Sequence, residues 1–111
     1  MRPIPLRLLI HTVLLNNVER DDYGKETDKL VATLQRVRME PSSQVIVNSN
    51  GTDVQCSATL FVDSRLSWPV GQEIKAEQSV LWEGRRFRVQ AVNPLFDDAR
   101  LHHLEVLLSD G

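Results

Sequence analysis

The stretch that decides the fold is Val54–Val62, VQCSATLFV. Val54, Cys56, Ala58, Leu60 and Val62 share one phase, while Gln55, Ser57, Thr59 and Phe61 share the other with Asp63. Side chains alternate across a strand, so this is a half-buried strand with an apolar inner face. The same kind of run recurs on both sides of it. Arg86–Val92 turns Phe87, Val89 and Ala91 inward and Arg86, Arg88 and Gln90 outward, and Asn93-Pro94 ends it. After an Asp97-Asp98-Ala99 turn, Leu101–Leu108 is a last strand with Leu104, Val106 and Leu108 in phase. Shorter strands are expected at Glu73–Lys75 and Ser79–Trp82, the second followed by a turn at Glu83-Gly84. Asp63–Gly71 is a loop in which Pro69 biases Trp68 toward extended backbone.

Toward the N-terminus, Leu6–Leu15 is a strand whose apolar residues occupy both phases, so it is covered on both faces or bends midway. Val18–Asp28 is polar and contains Gly24, the signature of a mobile hairpin loop. Leu30–Glu40 is a strand that Pro41 should stop or kink. A helix over Tyr23–Gln35 competes for part of that stretch. The apolar triplet Val45-Ile46-Val47 stands between polar flanks, and Asn50-Gly51 is a tight-turn pair tolerant of positive φ. Six or seven strands separated by short turns and longer polar loops predict a mainly β chain: a small, mostly antiparallel β-barrel forming one domain over residues 1–111.

Length and composition fit that reading. The chain has 111 residues, 41% hydrophobic and 25% charged, enough for one modest core. Area scaling gives a folded surface of roughly 6,200 Å². Net charge is -2, with neither half strongly basic or acidic, which argues against broad phosphate binding by an isolated subunit. A single cysteine, Cys56, excludes an internal disulfide and an all-cysteine zinc site. The apolar runs near the start are too short for a membrane span or a signal-peptide core, so a soluble, intracellular protein with no membrane contact is expected.

Searching for chemistry leaves little. His102 and His103 are neighbours on a strand and should face opposite ways, one packed and one exposed. Cys56 falls on the apolar face, where a thiol is an inert hydrophobe. Asp97 and Asp98 are explained by turn chemistry without a paired-carboxylate site. No phosphate-binding loop, dinucleotide fingerprint or nucleophile elbow occurs, so neither enzyme activity nor a cofactor or metal is expected. The residues with an interface character are Val45, Ile46 and Val47, Trp68 beside Pro69, and the basic cluster Arg85, Arg86 and Arg88.

Four islands carry a family resemblance: RPIPLRLLIHTV (Arg2–Val13), VRMEPSS (Val37–Ser43), ATLFVDSRLSWP (Ala58–Pro69) and VLWEGRRFRVQAVNPLFDDARLHHLEVLL (Val80–Leu108). Together they span about half of the chain. They resemble the minor capsid protein family of tailed phages and prophages of Gram-positive bacteria. The resemblance implies a head-closure or stopper subunit of the head–tail connector. Such a subunit forms a homo-oligomeric ring below the portal and adaptor, retains packaged DNA in the channel and offers the tail terminator a docking surface. It also implies a virion location, with assembly in the host cytoplasm from subunits that are monomeric in isolation. On this reading, edge strands left by incomplete barrel closure pair with neighbours in the ring. The alternative is a small barrel module that binds an oligonucleotide or peptide through the Arg85–Arg88 face.

Overall fold

Apolar residues at every second position pair six strands into one antiparallel sheet that closes on itself. The computed structural model describes residues 5–48 and 50–111. Its strands are β1 (His11–Arg20), β2 (Glu26–Val47), β3 (Asp53–Asp63), β4 (Ser79–Trp82), β5 (Arg85–Asp97) and β6 (Arg100–Asp110). The order around the ring is β1-β2-β3-β6-β5-β4, and β4 returns to β1 through Leu14↔Leu81, Leu15↔Val80 and Asn16↔Ser79. The expected mainly β, antiparallel barrel class is therefore correct. Closure is complete, which corrects the idea that an unclosed barrel supplies the free edges.

The inner phase of β3 is as expected, with Cys56, Ala58, Leu60 and Val62 all buried. Ala58, Leu60 and Val62 join one cluster with Val13 and Leu15 of β1, Leu34, Val37 and Met39 of β2, Val80 of β4, Phe87 and Val89 of β5, and Val106 and Leu108 of β6. A bulge between Val89 and Ala91 then shifts the phase of β5. Val92, not Ala91, packs against the core beyond it.

Several expected boundaries move. Leu6–Leu8 is a 3-10 turn rather than strand, and β1 begins at His11. Val18–Asp28 is not a mobile loop, and Tyr23–Gln35 is not helical. The β1–β2 hairpin occupies this region, with only residues 21–25 outside the strands. Its charges pair across the hairpin, Lys29 with Glu19 at 3.1 Å and Arg20 with Glu26 at 3.0 Å, so polarity here marks an exposed ribbon. The Asp21 carboxylate tightens the turn by accepting the N–H groups of Tyr23 and Lys25, both at 2.9 Å. Glu73–Lys75 forms no strand, although Ile74 is buried. Asn93-Pro94 does not end β5, which continues to Asp97 with Pro94 opposite Leu104.

β2 runs through Pro41 to Val47 with a bulge between Pro41 and Gln44. Its last partner on the β1 side is Val37, so a residue without an N–H forfeits no ladder bond to β1 there. At about 3.3 Å per residue a straight strand of 22 residues would reach roughly 73 Å. The longest dimension of the molecule is 47 Å, so the strand bends, helped by its bulges and by Arg36 at φ 55°. Its two ends form hairpin arms that reach past the closed ring. Ser49, just before the expected Asn50-Gly51 turn, lies outside the described residues. Around it, Asn48 Oδ1 accepts the N–H groups of Asn50 and Thr52, both at 3.0 Å, and Gly51 takes φ 76°. No helix among the described residues is long and apolar enough to cross a membrane.

Candidate functional site

The candidate interface residues occupy three separate places. Val45, Ile46 and Val47 lie on the β2–β3 arm, opposite Gln55, Val54 and Asp53. Val45 and Val47 are 62% and 65% exposed, whereas Ile46, on the other face, is half-buried. Trp68 lies in the β3–β4 connection with its indole exposed. Arg85, Arg86 and Arg88 lie at the start of β5, with Arg86 and Arg88 on one face.

That basic face is not simply solvated. Arg88 Nη2 donates to Oε2 and Oε1 of Glu26 at 2.7 and 2.8 Å, and its Nη1 donates to Glu77 at 3.1 Å. Arg86 donates through Nε and Nη2 to the two oxygens of Asp28 at 2.9 and 3.0 Å. At Arg86 two parallel bonds from separate nitrogens give the strong, oriented form of the pair, whereas Arg88 reaches both Glu26 oxygens through the one nitrogen. These pairs tie the β1–β2 arm to β5. They also leave the oligonucleotide reading short of free cations. Arg85 makes one contact to Asp110 at 3.3 Å and places its guanidinium 4.9 Å from the Phe87 ring centre. Glu26 and Asp28 are the partners that local reading missed. Their spacing of two on one strand matches that of Arg86 and Arg88 on another, and this was the available signal.

The arm contact has a pH signature. Hydrogen bonds from Arg88 and then Arg20 hold the Glu26 carboxyl below its ordinary 4.5, and the bond from Arg86 holds Asp28 below 3.8. A carboxylate depressed in the folded state stabilises it above the unfolded pKa, and the stabilisation fades as pH falls through the folded one. The thermal midpoint is therefore expected to fall on acidification from about pH 5 to about pH 3. In the Glu26→Gln/Asp28→Asn double variant that slope should flatten. An equal slope in the variant would place the acid sensitivity elsewhere.

The remaining titratable candidates are engaged within the fold. The His102 and His103 rings meet, Nδ1 to Nδ1 at 2.7 Å, and both are largely shielded. The expectation of one packed and one exposed imidazole is corrected. His102 is the extra residue of a register shift against β5, and a bulge re-aims its side chain. His103 Nε2 also reaches Glu105 at 3.3 Å. His11 Nδ1 accepts the Met39 N–H at 2.9 Å and stands edge-on to Trp82. Cys56 is fully buried, and burial pushes its thiol pKa up. The Asp63 carboxylate accepts the N–H groups of Arg65 and Leu66. No group of three or more His, Cys, Asp or Glu among the described residues could hold a metal ion.

A family model described as minor capsid protein matches residues 5–108, nearly the whole chain. The chain belongs to the minor capsid protein family. The resemblance carried by the four sequence islands is thereby borne out. Among solved structures, this family member is similar to a chain of the virion of a native gene transfer agent particle. The TM-score is 0.56 at 18% identity, with 98% of this chain and 96% of that chain covered. At that identity the likeness is one of fold. A search of curated proteins finds no match. For a minor capsid protein, the features most in need of explanation are apolar groups left in water: Val45 and Val47 on one arm, Tyr23 at the tip of the other, Trp68 with Val70, and the cross-strand pair Phe96 and Leu101.

Proposed function

We propose that this chain is a structural subunit of a phage-like virion, placed in the head–tail connector. There it closes the head below the portal and adaptor, retains DNA and offers the tail its docking surface. The observation that carries this reading is the match of the minor capsid protein family model over residues 5–108. The end-to-end fold likeness to a chain of a gene transfer agent virion supports it. The geometry suits a building block. A closed sheet gives a stiff body, and the β2–β3 arm carries exposed valines beyond it. Repetition of the subunit in a ring would multiply weak contacts by avidity. The subunit works by contact, with no bond made or broken, and stays monomeric until portal and adaptor subunits present a surface.

The test is a deletion of its gene in an inducible particle-producing strain, with an epitope-tagged copy for rescue. The tag is expected in purified particles at the head–tail joint by electron microscopy. The deletion should leave heads that lose DNA and lack tails. Tailed, DNA-filled heads in the deletion, or particles free of the tagged protein, would overturn the reading.

A further inference from the structure

Trp68 is held out into solvent by a stiff frame. Its backbone exchanges both hydrogen bonds with Gln35, at 2.7 and 2.9 Å. Ser67, buried, receives the Asp63 N–H at 2.8 Å and donates to the Arg36 carbonyl. The Asp63 carboxylate fixes the N–H groups of Arg65 and Leu66 at 2.8 and 2.9 Å. Even so, the Trp68 residue is 61% exposed and Val70 is 57% exposed. Beside them lies an open groove of about 420 Å³ lined by Gln35, Arg36, Arg65, Leu66, Trp68 and Val70. Arg20, Arg38, Arg85, Arg86 and Arg88 each hold a carboxylate. Among the described residues Arg36 has no such contact, and Arg65 has none at ion-pair distance, although its charge is felt by Asp97 on the far side.

Tryptophan and arginine dominate the side chains that anchor protein interfaces. A frame already ordered loses little entropy when a partner arrives. We infer that this platform docks an acidic loop of another protein, which sets an apolar side chain on Trp68 and Val70 and carboxylates against Arg36 and Arg65. Charge complementarity selects the acid. The apolar wall of Leu66 and Val70 selects a protein over a nucleic acid. So does the shortage of cations: two arginines on a chain of net charge -2 give a phosphate backbone little hold. The inference gives the assembly reading one partner chemistry and rests on that reading only for where the partner sits.

Random 12-residue peptides displayed on a carrier, selected on the full-length monomer, test it. Enriched peptides should combine Asp or Glu with a large apolar residue and weaken in high salt. Trp68→Ala should reduce their affinity by about 30-fold or more, and Arg65→Glu should also reduce it. Both sites are exposed, and unchanged thermal midpoints would show that the variants fold. Arg65→Glu serves alone if Trp68→Ala does not fold. No enrichment, enrichment of basic peptides, or peptides indifferent to both substitutions would overturn the inference. So would Trp68-dependent binding of a dT12 oligonucleotide. A subunit present in particles that selects no such peptide sinks this inference alone, and one missing from particles sinks the assembly reading alone.

Discussion

Phe87→Ala is expected to lower the unfolding free energy by about 4 kcal/mol and the thermal midpoint by roughly 15–25 °C. Phe87 is the largest fully buried side chain, 1% exposed, on a strand flanked by β4 and β6. Val80 is its cross-strand partner, and Val89 and Leu108 belong to the same cluster. Truncation removes the transfer energy of the ring and leaves a cavity that a closed sheet cannot readily collapse. A domain of this size has about 5–15 kcal/mol in total, so one substitution removes a large share. Circular dichroism melts check it, with Tyr23→Ala as control. Tyr23 is 96% exposed, and its loss should stay within about 0.5 kcal/mol. Equal effects at the two sites would refute the core assignment.

The second large effect separates folding from assembly. Val45→Ser/Val47→Ser should leave the melt of the monomer within about 1 kcal/mol of the parent, since both side chains already face water. If the β2–β3 arm is covered in the particle, covering each valine contributes about 1.5 kcal/mol. Losing both then costs about 3 kcal/mol, near a hundredfold in equilibrium. Quantitative blotting of purified particles should show depletion of the variant subunit against the parent. Undiminished incorporation would remove the arm from the interface. Collapse of the monomer would put the valines in the core.

The strand phases were legible where fully buried apolar side chains alternate with mostly polar, less buried ones, as in Cys56–Val62 and in Phe87 and Val89. There the period of two encodes the packing directly. Boundaries set by pairing were not. The charges of residues 18–28 look like a loop until Glu19, Arg20, Glu26 and Lys29 are seen facing one another across a hairpin. Pro41 and Pro94 look like stops until the neighbouring ladder is known. Arg86 and Arg88 were visible as a pair on one face. Their carboxylates lie about 60 residues away, and local patterning carries no signal at that distance. Of the candidate interface, exposure at Val45, Val47 and Trp68 followed from their polar or loop setting. Arg36 and Arg65 beside Trp68 come together through the Gln35–Trp68 bridge and the Ser67 bond to the Arg36 carbonyl, both between residues some thirty apart.

The contact between β1 and β4 has only three paired positions, joining residues more than sixty apart in the chain. β4 itself is four residues long. The ring therefore has its seam at β4, the shortest strand, joined to β1 at three positions and to β5 at four, and braced by Asn16 on Ser79, Gln78 on Asn17 and the Arg86 and Arg88 pairs with Asp28 and Glu26. Such distant pairing is expected to form late, like that of β3 with β6, after the sequence-adjacent hairpins. Until the seam zips, the nascent subunit is an open sheet with two raw edges. Crowding many copies together before that step would favour pairing between chains over closure within one.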